Sequence, residues 1–169
     1  MPVDAKSLRQ VGRQVPSSVA VVTTGDGLGV TVGSLGVLSQ RPPLVMFSLT
    51  RGSRGHCLLN GLTRFRVNVL AEEQAWIGEH FAQGEPGDRD LVGLTSEVLP
   101  RIPGAVAHLE CSARERFEIG DHTMVIGLLE QVDLSPGRPL VYWNRDYHSL
   151  FPVAGEPLAF SGREVQSTT

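Results

Sequence analysis

The segment Arg51-Gly52-Ser53-Arg54-Gly55 carries the residue types best suited to chemistry in this chain. Two guanidinium groups flank a hydroxyl, and the planar fork of arginine holds phosphates and carboxylates through paired hydrogen bonds. Ser53 stands where it can N-cap a short helix over HCLLNG, with Gly61 placed to end it, and such a start turns free N–H groups toward an anion. A phosphate is the natural guest. A solvated loop with no guest explains the same residues. A second signal is Gly120-Asp121-His122, between two strands and at the rim where ligands enter barrels. Gly-Asp is also ordinary turn chemistry, and a lone His is often structural.

What is missing narrows the choice. No G-x-S-x-G, H-E-x-x-H or S-x-x-K occurs, and the histidines at 56, 80, 108, 122 and 148 show no i, i+4 pairing, so no metal site is expected. Of the 15 basic residues only Lys6 is lysine, which removes a P-loop lysine and makes Schiff-base chemistry an unpromising reading. Cys57 and Cys111 lie far apart and read as two buried, reduced thiols rather than a zinc or redox pair. Gly25-x-Gly27-x-Gly29 joins two strands and opens no helix, so it lacks the context of a dinucleotide fingerprint. A formal charge of -3 gives no sign of a nucleic-acid groove. No run approaches the ~20 apolar residues of a membrane span and the start lacks signal-peptide character, so a cytoplasmic protein is expected.

These residues need a scaffold. With 169 residues, 41% of them hydrophobic, the chain suits one domain over residues 1–160 with a loose polar tail at 161–169. Helical spacing of Val3, Leu8, Val11 and Val15 predicts a short surface helix ended by Pro16. VAVVTT (19–24), a turn at Gly25-Asp26-Gly27 and a returning strand over 28–39 form a hairpin. Further strands are expected over 43–50, 64–70, 105–114, 123–134 and 139–144, about seven in all. The segment 72–83 is the long helix, and 84–104 reads as a surface excursion that could also cover a ligand. Most connections are too short for parallel crossovers. The fold class is therefore mainly β: an antiparallel barrel or sandwich with a few peripheral helices.

The strings GVTVGSLGVLSQRPPLVMFSL, RGSRGHCLLNG, RFRVNVL, EHFAQG, IPGAVAHLECSARERFEIGDHTMVIGLLEQV and PLVYWNRDYHSL, in this order, resemble the short-chain flavin reductase family over roughly residues 8 to 151. The resemblance implies a split antiparallel β-barrel, the FMN-binding split barrel, that dimerises with flavin near the subunit interface. It implies an NAD(P)H:flavin oxidoreductase that uses FMN, with FAD as the other option, and NADH or NADPH as co-substrate. A separate monooxygenase component would receive the reduced flavin.

Carried over by motif, Thr31, Val32, Ser34, Leu35 and Ser39 of the T-x-x-S strand would contact the flavin. Ser48, Leu49, Arg51, Ser53 and Arg54 match the segment at its phosphate end, in keeping with the helix-start argument. Phe65, Asn68, Val69 and Leu70 match the F-x-V-N-V-L strand, and Phe81 and Ala82 the helix end. Gly120, Asp121 and His122 match the G-D-H turn, with His122 at the nicotinamide side as the catalytic candidate, and Tyr147 fits a late aromatic position at the cleft. Each has a structural alternative: Phe65, Val69, Leu70 and Phe81 as core, Thr31 and Ser34 as strand-edge donors, Asn68 as a buried strut. Hydride transfer is carried by the cofactors, so the lack of an acid–base pair does not count against an enzyme. A non-catalytic flavin carrier and a flavin-dependent oxidase of another small molecule are the alternatives.

Overall fold

The computed structural model describes residues 3–25, 27–83, 93–95 and 97–153. The expected tail at 161–169 and part of the excursion, residues 84–92 and 96, lie outside them. Helix α1 (Ala5–Gln14) starts at Asp4, whose carboxylate accepts the Ser7 N–H at 2.6 Å, and none of its residues is buried. It is the surface helix that its spacing predicts.

The strands are β1 (Ser17–Ser18), β2 (Ala20–Thr23), β3 (Gly29–Val32), β4 (Gly36–Gln40), β5 (Pro43–Thr50), β6 (Arg64–Val69), β7 (Ala107–Ile119), β8 (His122–Leu134), β9 (Val141–Trp143) and β10 (Asp146–His148). Seven form one antiparallel sheet in the order β3-β2-β6-β7-β8-β5-β4, and β1-β9-β10 form a small second sheet. The sheet edges β3 and β4 are consecutive in sequence and joined only by residues 33–35. A link that short spans at most about 14 Å. The sheet must curl until its two edges lie side by side without pairing, which is a split barrel.

The same fact corrects the expectation of one strand over 28–39: the chain leaves one edge at Gly33 and joins the other at Gly36. Strand β7 also runs to Ile119, five residues beyond its expected end, because Glu115 to Ile119 pair only with β8 and present little buried surface for a periodicity to reveal. Ten strands form where about seven were expected, the additions being the β3/β4 split and the short β1 and β10.

Strand β2 explains why VAVV is apolar on both faces. Ala20 and Val22 enter the barrel core with Val32, Val45, Phe47, Phe65 and Val67, while Val21, with Val19 before it, packs on Leu70, Ile77, Phe81, Ile102 and Leu140. Phe47 and Phe65 meet edge to face at 5.4 Å inside the barrel. The second cluster lies under a 3-10 turn (Glu72–Gln74) and helix α3 (Ala75–Gln83), the two parts of the helix expected over 72–83. Gly78 lets α3 lie close to the sheet, since a Cβ there would come within 3.1 Å of Val19. Helix α2 (Arg54–Leu59) carries the expected Ser53 cap, with Gly61 at φ +78 just beyond its end.

Three expectations need correcting, for His108, for the excursion and for Cys57. The alternation of Ala105, Ala107, Leu109, Cys111 and Ala113 with His108, Glu110, Ser112 and Arg114 predicts a solvent-facing His108, yet His108 is buried and bonds the Ile102 carbonyl at 3.0 Å. The described part of the excursion is not merely superficial: Leu99, Pro100 and Ile102 pack inward. Arg66 is buried between Glu97 at 2.8 Å and Glu110 at 2.9 Å. Of the two thiols, Cys111 is buried and Cys57 is exposed. Burial pushes the Cys111 thiol up to about 12, with the Glu130 and Glu110 carboxylates adding to it. Among the described residues no helix is long and apolar enough to cross a membrane, and no cluster of three or more metal-ligating side chains occurs.

Candidate functional site

Two neighbouring features on the barrel collect most of the candidate residues. The first is a cleft of about 390 Å³ lined by Val19, Thr31, Val32, Gly33, Ala82, Tyr142 and Tyr147. Its size falls within the roughly 300–1,000 Å³ of small-molecule sites, and its walls are mostly apolar and aromatic. Strand β3 gives one wall, the end of α3 another, and the β9–β10 hairpin brings Tyr142 and Tyr147 together edge to face at 5.3 Å. Burial, helped by the Glu79 carboxylate and Tyr142, holds the Tyr147 phenol above its ordinary range. It therefore stays neutral near pH 7 and can face a ring without a charge.

Thr31 is anchored rather than free, because its hydroxyl donates to the Gly78 carbonyl at 2.7 Å and so fixes β3 to α3. Gly33 lies close to Ser17, since a Cβ there would approach Ser17 Oγ at 3.1 Å.

The second feature is the polar end of β5 and β8. Thr50 pairs with His122, and the Arg51 N–H donates to the Asp121 carbonyl at 2.9 Å, so the Arg-Gly-Ser-Arg-Gly loop and the Gly-Asp-His turn lie side by side. Ser53 Oγ accepts the His56 N–H at 3.2 Å. The His56 ring sits between the Gly52 N–H, 3.4 Å from Nδ1, and Thr123 Oγ1, 3.1 Å from Nε2, which makes Nδ1 the acceptor and Nε2 the donor. Arg51 pairs with Glu118 at 3.0 Å, an exposed contact and hence a weak, exchangeable one.

His122 is held at both nitrogens. Its Nδ1 lies 2.7 Å from Asp121 Oδ1, an acceptor, so Nδ1 carries the proton, and Nε2 is 3.3 Å from the Thr50 hydroxyl. The hydrogen bond from His122 keeps the Asp121 carboxyl below its usual range. Asp121 thus stays ionised well below neutral pH and keeps the ring oriented.

Ser34 joins the two features: its hydroxyl accepts the Ser48 N–H at 2.8 Å and lies 3.2 Å from the Ser48 carbonyl, pinning the end of β3 to β5. Several of the residues expected on motif grounds line neither feature. Ser39 sits further along β4, where its hydroxyl accepts the Arg41 N–H at 3.2 Å, and Leu35 packs against the barrel core. Leu49, Phe65, Leu70 and Phe81 are buried apolar residues, and Val69 is half-buried within β6.

Asn68 is fully buried. Its amide donates to the Val21 carbonyl and Thr23 Oγ1, both at 3.1 Å, and accepts the Ile102 N–H at 3.1 Å. Sequence reasoning missed Val19, Tyr142, His56 and Thr50. Tyr142 had one available signal: it and Tyr147 are the only tyrosines of the chain, five residues apart across a hairpin.

A flat aromatic ring carrying a phosphate fits this arrangement, the ring against the cleft walls and the anion toward Ser53 and Arg54. Comparison with known proteins gives the family. Residues 11–150 match the model of the flavin reductase like domain. The chain is 32% identical to the actinorhodin polyketide dimerase of Streptomyces coelicolor, over 98% of this chain and 97% of that protein. It is 31% identical to HsaB, the reductase subunit of a flavin-dependent monooxygenase of Mycobacterium tuberculosis, over 92% of this chain and 87% of the relative. Among solved structures, the NADH:FAD oxidoreductase of Streptomyces globisporus in complex with NAD and FAD fragments superposes with a TM-score of 0.82 at 32% identity, covering 91% of this chain and 99% of the other. A family match across most of the barrel, with relatives about a third identical along nearly their whole length, shows that the chain belongs to the flavin reductase-like domain family.

Proposed function

We propose that the chain is an NAD(P)H-dependent flavin reductase that supplies reduced flavin, FMN or FAD, to a separate monooxygenase component. The observation that carries this reading is the aromatic cleft joined through Ser34 and Ser48 to a phosphate-suited polar end, on a chain of this family. Bound flavin supplies a ring that accepts two electrons and a proton from the nicotinamide. The chain's own residues supply the rest. Thr31, Val32, Gly33, Ala82 and Tyr147 seat the ring and keep water off its face; Ser53, Arg54 and Arg51 hold the phosphate; His122, steadied by Asp121, orients the nicotinamide nucleotide. A cytoplasmic location goes with this reading, since the co-substrate is a cytoplasmic metabolite.

A homodimer belongs to the same reading. Val3, Leu8, Val11 and Val15 on or beside α1 are all more than half exposed, as are Ile119 and Leu134 on the β7–β8 ribbon. Apolar area of this kind marks an interaction surface, and a second copy of the chain is the occupant assigned. Light scattering at micromolar concentration should return twice the chain mass; the monomer mass removes the interface.

The functional test is oxidation of NADH and of NADPH by the pure protein without flavin, with FMN and with FAD. Turnover should depend on flavin. His122→Ala should raise KM for the nicotinamide nucleotide about tenfold, the worth of one hydrogen bond of ~1–1.5 kcal/mol, and leave flavin affinity within twofold. Unchanged kinetics would remove His122 from the site. The relative named as a polyketide dimerase favours, as a second reading, flavin-dependent oxidation of another small molecule. Flavin that binds but is never reduced by either nucleotide would move the assignment to that reading or to a flavin carrier.

A further inference from the structure

Three arginines share the rim of a second cleft, of about 510 Å³, between the C-terminal half of α1 and the turn that joins β9 to β10. Arg9 and Arg13 come from the helix and Arg145 from the turn, and no acidic residue lines the cleft. None of the three has an ion-pair partner among the described residues, whereas Arg51, Arg64, Arg66, Arg101 and Arg138 all do. The Asn144 N–H donates to the Arg13 carbonyl at 3.2 Å, so the backbone itself holds these like charges together. Uncompensated positive charge in a concave site draws an anion. The same helix can serve both this cleft and the dimer, because at about 100° per residue Arg9 and Arg13 lie roughly 100° or more round α1 from Leu8 and Val11.

The turn keeps an arginine where glycine would be less strained. Asn144 and Arg145 have φ of 50 and 71, the left-handed pair of a tight hairpin turn in which glycine is the favoured second residue. The cleft walls are mostly apolar. Tyr142 and Trp143 are each about 40% exposed and are backed by edge contacts, at 5.3 Å with Tyr147 and 5.4 Å with His148. No guanidinium of the described residues stacks on either ring. Side-chain acceptors are few, those of Ser17, Tyr142 and Asn144, so a ligand rich in hydroxyl groups would leave donors without partners. A flat ring with one anionic group would not.

We propose that this cleft binds a planar aromatic carboxylate, the carboxylate in the forks of Arg9, Arg13 and Arg145 and the ring against Tyr142 and Trp143. This ligand is neither flavin nor nicotinamide nucleotide, and its site stands apart from the phosphate end at Ser53 and Arg54. Tyr142 lines both clefts, so the acid lies beside the ring site without entering it. The proposal does not depend on the reductase reading.

Calorimetric titration of the full chain with 2-naphthoate, without flavin, should show saturable binding that weakens as salt is raised. The neutral 2-naphthamide should bind about tenfold more weakly, the loss of charge-assisted hydrogen bonds. The double variant Arg9→Gln/Arg145→Gln should lose about tenfold in 2-naphthoate affinity on the same ground. Both positions are exposed, and an unchanged thermal midpoint checks that folding is intact. Arg41→Gln, at an exposed arginine outside the cleft, should bind as wild type does. Arg145→Gly separates ligand from turn: it should raise the thermal midpoint by relieving the left-handed residue, yet bind 2-naphthoate about threefold more weakly. In a competition arm, saturating FMN or NADH should leave 2-naphthoate affinity within about twofold of its value alone. No saturable binding by wild type, equal binding of the amide, or undiminished binding by the double variant overturns the proposal. So does displacement by FMN or NADH, which would give the cleft to a nucleotide, and so does full binding by Arg145→Gly. The titration needs neither flavin nor turnover, so its failure leaves the reductase reading standing, and absence of flavin-dependent turnover leaves the titration interpretable.

Discussion

Replacing Ala82 by Trp is expected to raise the dissociation constant for flavin by roughly 30- to 150-fold while leaving the fold intact. Ala82 sits on the exposed side of α3 near its end, lines the ring cleft and supports no core contact. An indole there would occupy much of a cleft of about 390 Å³. Burying an aromatic ring system of about 150–250 Å² at about 25 cal/mol per Å² is worth roughly 4–6 kcal/mol, and loss of half of it gives the stated range. The fold should tolerate the change because an exposed helix-end substitution costs only about 0.5 kcal/mol in propensity. Flavin fluorescence titration measures the affinity and thermal unfolding the stability. A Kd within twofold of wild type would mean that the ring lies elsewhere.

Asn68→Ala should behave in the opposite way, losing stability and keeping affinity. The amide ties β6 to β2 through the Val21 carbonyl and Thr23 hydroxyl and draws in the Ile102 backbone from the excursion. Thr23 in turn donates to the Pro100 carbonyl at 2.7 Å, so the side chain is the centre of a buried polar network. Its removal leaves the Ile102 N–H without a partner and opens a small cavity, at a cost of about 2–4 kcal/mol. For a chain of this size that is roughly 5–12 °C in Tm. Flavin affinity of the folded protein should stay within threefold. A variant with unchanged Tm and lost flavin affinity would show that Asn68 meets the flavin.

The behaviour of these two residues marks where sequence reasoning reaches and where it stops. Local signals were legible because their physics is local. The Ser53 cap, the turn at Gly120-Asp121, the β-branched run of β2 and the surface character of α1 each follow from a few adjacent residues. The nearness of Arg51 to Asp121 rests on the pairing of β5 with β8, which no local window contains.

Long-range pairing also hid the split of 28–39 into two edge strands and the extension of β7 from Glu115 to Ile119, whose backbone pairs with β8 alone. Buried polar residues escaped for a related reason. Alternation places His108 and Glu110 toward solvent, yet the excursion folds over that face and supplies the Ile102 carbonyl to one, while Arg66 from β6 reaches the other. The family motifs located the strand of Asn68 but not the direction of its side chain.

The most direct measurement of the central claim is a single turnover without oxygen, in which the protein is mixed with one equivalent of flavin and then with NADH or NADPH under argon. The flavin colour should bleach in step with loss of the nicotinamide absorbance, one flavin per nucleotide, and far faster than in the protein's absence. Yellow, protein-bound flavin beside unconsumed nucleotide would contradict the account.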